Sequence, residues 1–212
     1  MITVFGEGRG FRVVWLLEEM GLPYRLRPVD LLADADKDPE FISINPGGFI
    51  PAMTDGDVTM VESIAIMEYL MARHGPTPLA PNPQDPTFPD YKQFLILGEA
   101  GLATAIYYVF GALHIAPADQ RQNWTAGQAL RGFESRLRLV TRQLARFPYM
   151  AGEDFTAADI SVAYAFMLAR RGGCATLGKA EEAYMTRLTE RSAFQRALEA
   201  CPATKAGYIG FG

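Results

Sequence analysis

Several short segments carry residues whose types could do chemistry. Glu62 precedes Ser63 at a predicted helix start, where free N–H groups and the helix dipole attract anions, while a carboxylate accepts hydrogen bonds from an ammonium. A ligand group bearing both charges would fit there. From these two residues alone, a Ser63 N-cap beside a solvated first-turn acid is the preferred reading. Ile50-Pro51 opens a strand signal, and the turn Glu7-Gly8-Arg9-Gly10 holds one cation between glycines just before another predicted helix. Tyr107, Tyr108 and Phe110 lie in a long apolar stretch, as lining for a small hydrophobic ligand or as bundle core.

Other chemistries are poorly provided for. Cys174 and Cys201 are the only cysteines and fall outside any CxxC pattern, so neither a disulfide framework nor a metal site is expected. His74 and His114 are the only histidines, which leaves Ser-His-Asp or zinc chemistry short of ligands. His74, just before Gly75-Pro76, suits the C-terminal end of a helix. The formal charge of −4 offers no basic field to collect nucleic acid or an anionic membrane surface. A small-molecule partner is expected, with no metal.

The elements that must position these residues fall into two groups. Six of the fourteen prolines lie from Pro76 to Pro89, a run that fits neither helix interior nor central strand. Residues 79–89 are expected as a linker between an α/β domain over 1–78 and an all-helical domain over 90–212. In the first domain, Ile2 to Phe5 reads as a strand. Val13, Leu16, Leu17 and Met20 mark one face of a helix from about Phe11, stopped by Gly21. A strand from Tyr24 to Leu31 completes a right-handed βαβ unit. Asp38-Pro39 starts a short helix to Ile44. Asp55-Gly56 turns a hairpin between Pro51–Thr54 and Val58–Val61, and Ser63 caps a helix reaching His74.

Downstream, helices are predicted at about 90–113, 119–147, 156–170, 179–190 and 193–200. Thr156 with Asp159 forms a capping arrangement. The segment Phe94 to Ala116 has the length of a membrane span, but its glycines and flanking amphipathic helices predict a central bundle helix. Met1 to Gly6 lacks the basic start and apolar run of a signal peptide, so a cytoplasmic address is expected.

The order β-α-β-α-β-β-α resembles the thioredoxin-like fold, and the motifs narrow it further. Phe11 to Tyr24 resembles the first helix of bacterial glutathione transferases. Asn45 to Met53 resembles that family's loop before its third strand, and Val61 to Leu70 its third helix. With the proline-rich linker and Ala151 to Ile160, the resemblance to the cytosolic glutathione transferase superfamily spans nearly the whole chain.

The resemblance implies a thioredoxin-like domain followed by a helical bundle, with glutathione as co-substrate and a homodimeric assembly. It implies a cis Ile50-Pro51 bond that presents the Ile50 backbone to the cysteinyl unit, with Ser63 and Glu62 holding the γ-glutamyl carboxylate and amine. The electrophile pocket is expected between the domains, on Tyr107, Tyr108 and Phe110. Two positions depart from the family. Gly10 stands where many relatives carry Ser, leaving Arg9 and the N–H groups of Gly10 and Phe11 as candidates to face a thiolate. Phe49 stands where relatives often direct Lys or Gln at the glycyl carboxylate. The expected activity is conjugation or reduction of small hydrophobic electrophiles; the alternative is a non-catalytic glutathione-binding stress adaptor.

Overall fold

The structure is a computed structural model that describes residues 1–29, 38–121 and 123–209, the side chains of 208 and 209 excepted. It comprises two compact units, one built from Met1–Thr77 with Arg191–Gly207 and the other from Pro78–Glu190.

In the first unit, β1 (Ile2–Phe5), α1 (Gly10–Met20) and β2 (Tyr24–Arg27) form the expected βαβ unit, with β1 and β2 parallel. Pro28, which has no N–H to donate, follows β2. The rest of the strand expected to Leu31 lies partly outside the described residues. Gly21 closes α1 in the left-handed conformation at φ 64°, and the Leu22 N–H reaches back to the Leu17 carbonyl at 3.0 Å. Next come α2 (Pro39–Ile44), whose N–H at Phe41 is accepted by Asp38, the hairpin of β3 (Ala52–Asp55) and β4 (Val58–Val61), and α3 (Ser63–His74). The sheet order is β2-β1-β3-β4, with β3 antiparallel to both β1 and β4. At the end of α3, His74 lies 2.7 Å from Asp55, which also accepts from the Tyr69 hydroxyl. The Asp55 carboxyl is held below its usual pKa, chiefly by the His74 hydrogen bond.

The expected boundaries change at both edges of the helical domain. The residues of the proposed linker belong to the second unit, where the buried Leu79 accepts the Ala157 N–H at 3.0 Å. The segment Arg191–Gly207 belongs instead to the first unit. Packing against α1 explains this: the Phe194 ring meets Trp15 edge-on at 4.9 Å and Phe11 at 5.6 Å. Arg191 adds a bidentate pair to the nearly buried Glu19 at 2.7 and 2.8 Å, and Arg196 bonds Glu18.

The second unit is helical. Its spine, α4, runs unbroken over Phe88–Ile115, long and apolar enough to cross a membrane by length and composition. Its inner face is buried in the bundle, with Gly98 so close to α6 (Ala157–Arg170) that an added Cβ would lie 2.3 Å from the Ser161 hydroxyl. Ser161 donates to the Leu95 carbonyl at 2.7 Å, and wide π-helical turns follow at Leu97–Ala103 and Gly111–Ile115. The remaining helices are α5 (Trp124–Leu144), α7 (Lys179–Thr189), α8 (Ser192–Ala200) and α9 (Pro202–Ile209), the last two starting in the first unit. No helix was expected for α9, although Pro202 at its first position is a start signal.

The Thr156–Asp159 cap is present and does more than cap. The fully buried Asp159 accepts from the N–H groups of Met150 and Thr156 and from the Tyr184 hydroxyl, each at 2.8 Å. Burial pushes its carboxyl up to about 6 in spite of these donors.

Candidate functional site

Strand register brings the candidate residues of the first unit to one end of the sheet. Phe5, the last residue of β1, pairs with Ala52, the first of β3, which pairs in turn with Val61, the last of β4. The Glu7–Arg9 turn, the Ile50-Pro51 bond and the Glu62–Ser63 helix start therefore issue from three adjacent strand ends.

Ile50-Pro51 is cis. Among the described residues, neither the Ile50 N–H nor its carbonyl enters a backbone hydrogen bond. The loop before it is fixed by the buried Asn45, whose amide donates to the Phe49 carbonyl while its oxygen accepts from the Gly47 N–H at 3.0 Å. Gly6, at φ 83°, lies so close to Ile50 that a Cβ would fall 2.3 Å from its Cγ2. The Phe49 ring is exposed and lies over Gly47.

At the next strand end, Glu62 has φ 69°, the one non-glycine positive φ among the described residues. It serves as the N-cap of α3, and its side chain makes no capping bond. Ser63 is the first helical residue rather than the expected cap. The left-handed turn at Glu62 leaves that carboxylate exposed and drops the Ser63 hydroxyl into the interior, at 2 % exposure. There the Arg12 guanidinium donates to Ser63 Oγ at 3.1 Å. Among the described residues, no backbone bond takes up the Ser63 or Ile64 N–H. An exposed carboxylate beside a buried hydroxyl and open helix N–H groups can bind a zwitterion.

Arg12 is the buried polar side chain beside this site that the sequence did not single out. It is fully buried in the all-buried run Gly10–Leu17 of α1. Its signal is available in the sequence, because an arginine flanked by Phe11 and Val13 inside an apolar helix face needs a polar purpose.

The turn before α1 corrects an expectation. The Gly10 N–H donates to the Glu7 carbonyl and the Phe11 N–H to the Gly8 carbonyl, each at 3.0 Å. Arg9, the N-cap, is already in the helical conformation, so a tight i to i+3 turn runs straight into α1 and uses the donors expected to face a thiolate. Gly10 packs under Pro51, where an added Cβ would sit at 3.3 Å. Glu7 turns the other way and accepts the Thr204 N–H, at the start of α9, at 2.7 Å. Both cysteines are buried, and burial pushes the Cys201 thiol up to about 12.

In the helical unit, Tyr107 and Tyr108 line a cavity of about 530 Å³ with Ile115, Ala116, Asn123 and Thr125. Every described lining residue belongs to that unit. Phe110 is not among them. Its ring lies 4.7 Å from His114, tilted by 42°; His114 holds the Gly172 carbonyl at 2.9 Å, and the Arg171 guanidinium lies over the Phe110 ring.

Residues 10–73 match the family model described as glutathione S-transferase, N-terminal domain. The chain is 29 % identical over 180 residues to glutathione S-transferase 3 of Schizosaccharomyces pombe, covering 78 % of this chain and 72 % of that one. It is 30 % identical over 182 residues to glutathione S-transferase PM239X14 of Arabidopsis thaliana, covering 76 % and 78 %. The chain belongs to the glutathione S-transferase family. Its fold also matches the crystal structure of glutathione transferase URE2P6 from Phanerochaete chrysosporium in complex with oxidised glutathione, with a TM-score of 0.83 at 22 % identity over 96 % of this chain and 97 % of that one. The matched N-terminal segment includes the Ile50-Pro51 bond and the Glu62–Ser63 helix start.

Proposed function

We propose that this glutathione S-transferase binds glutathione at the sheet end and directs its sulfur at a small hydrophobic electrophile, conjugating or reducing it. The observation that carries the reading is the start of α3, where an exposed Glu62 carboxylate adjoins a buried Ser63 hydroxyl. The γ-glutamyl carboxylate would sit on Ser63 and its amine on Glu62, with the cysteinyl unit on the Ile50 backbone. The Phe49 side chain offers the glycyl carboxylate an aromatic surface and no charge.

Arg9 is the cation of the turn and our candidate to face the thiolate. A charge at 4 Å with an effective dielectric near 20 is worth about 4 kcal/mol before screening, against about 1.4 kcal/mol per pKa unit. The aromatic cavity supports an apolar co-substrate, with Tyr107 and Tyr108 as its contacts. A homodimer and a cytoplasmic, detoxifying role complete the proposal; light scattering tests the first.

A second reading, a glutathione-binding adaptor without catalysis, is favoured by one observation: Gly10 and Phe11 have given their N–H groups to the turn. Titrating the thiolate absorbance of bound glutathione separates the two. A bound pKa one or more units below that of free glutathione supports the transferase, and an unshifted pKa supports the adaptor. A chain that does not bind glutathione saturably contradicts both.

A further inference from the structure

Ser63 can interact with a ligand as a donor or as an acceptor, and Arg12 decides which. A guanidinium carries only donors, so in the 3.1 Å contact the Ser63 oxygen must accept. The hydroxyl proton then points away from Arg12. With Ser63 at 2 % exposure, little water competes for it. The positive end of α3 reinforces the same polarity, since its first N–H groups also donate. A group received at Ser63 therefore meets donors from the hydroxyl and backbone, with a cation immediately behind. That environment favours a carboxylate over an ammonium or an amide N–H. Glu62, exposed one residue earlier, presents the opposite polarity.

Resting on the glutathione reading above, we propose that Arg12 is the positioning residue that makes Ser63 selective for the ligand's α-carboxylate. It does so from α1, through Ser63 on α3. The bond thereby ties the site to the interior of the fold. A purely structural arginine would also be buried and hydrogen-bonded, so the test must separate loss of fold from loss of polarity.

The experiment uses calorimetry with glutathione and two analogues. In 4-aminobutanoyl-cysteinylglycine only the α-carboxylate of the γ-glutamyl unit is missing, and in glutaryl-cysteinylglycine only its amine. In the wild type, removing the carboxylate is expected to weaken binding about tenfold or more. In Arg12→Met, glutathione should bind as weakly as the carboxylate-free analogue, and removing the carboxylate should change affinity less than about threefold. Removing the amine should cost the same in both proteins. Equal weakening of all three ligands by Arg12→Met would show a structural role and overturn the inference. Should Arg12→Met fail to fold by circular dichroism, Arg12→Gln, whose uncharged amide can accept as well as donate, takes its place. It should bind glutathione more weakly than the wild type with a reduced carboxylate dependence, and a carboxylate dependence equal to the wild type's overturns the inference. Absence of saturable glutathione binding by the wild type overturns the docking reading as well, whereas saturable binding whose carboxylate dependence ignores Arg12 overturns this inference alone.

Discussion

Helices α1 and α3 begin at the same end of one sheet, and their first turns are built for different ends. At α3, Glu62 takes up φ 69° and the helix starts abruptly, so that, among the described residues, no backbone carbonyl takes up the N–H groups of the buried Ser63 and of Ile64. At α1 the chain enters through a tight turn in which Glu7 and Gly8 carbonyls already hold the Gly10 and Phe11 N–H groups. A helix N-terminus attracts anions only where the entering chain leaves donors to spare. By that criterion α3 is better placed than α1 to receive an anion, since the Gly10 and Phe11 N–H groups at the start of α1 are already taken up by the entering turn.

A third helix start sets the scale of a purely structural role. Asp159→Ala removes the acceptor shared by Met150, Thr156 and Tyr184, all buried. Unfolding stability by denaturant titration should fall by about 3–5 kcal/mol, with glutathione affinity of the folded fraction unchanged. A loss of affinity without loss of stability would mean that this helix start, too, serves the ligand.

Restoring a hydroxyl to the α1 turn should have the next largest effect. Gly10→Ser places a donor where the thiolate would lie, and a charge-assisted hydrogen bond of about 1.5–3 kcal/mol predicts roughly a 10- to 100-fold gain in kcat/KM. Its Cβ must be accommodated 3.3 Å from Pro51, so a small drop in Tm is expected beside the gain. No gain in a folded variant would show that activation does not depend on this position.

Glu62→Gly tests the α3 start. Glycine occupies φ 69° without steric cost, so the variant should be more stable by about 1 kcal/mol while glutathione binds about tenfold more weakly for want of the amine's partner. Unchanged affinity would remove Glu62 from the site.

The smallest effect is an acid-pH term from Asp55, distant from ligand chemistry. Its folded pKa is depressed by His74, so the pair's contribution is present above the ordinary carboxylate value of 3.8 and is lost as pH falls through the folded value. Asp55→Asn should flatten the stability profile below pH 4 and leave glutathione affinity at neutral pH unaltered.

The legibility of this chain varied with how local each cause is. The order of strands, the Gly21 stop, the Asp38 cap and the α3 span all follow from neighbours a few residues apart and were readable. The Glu62–Ser63 pair was readable as residue types, but which of the two caps α3 depended on a left-handed backbone turn that no side chain announces. Arg12 meeting Ser63 spans fifty-one residues, and Phe194 meeting Trp15 edge-on reassigns a helix from one unit to the other. Both needed the tertiary structure. The spent N–H groups of Gly10 and Phe11 could not be seen either, because Glu7-Gly8-Arg9-Gly10 permits several turns and only one of them consumes both donors.

The most direct test of the contrast between the two helix starts is a crystal structure with glutathione bound. The account predicts the γ-glutamyl carboxylate on the Ser63 hydroxyl and N–H, the amine at Glu62, and no ligand atom within hydrogen-bond distance of the Gly10 and Phe11 N–H groups. A carboxylate or sulfur seated on Gly10 and Phe11, with α3 unoccupied, would contradict it.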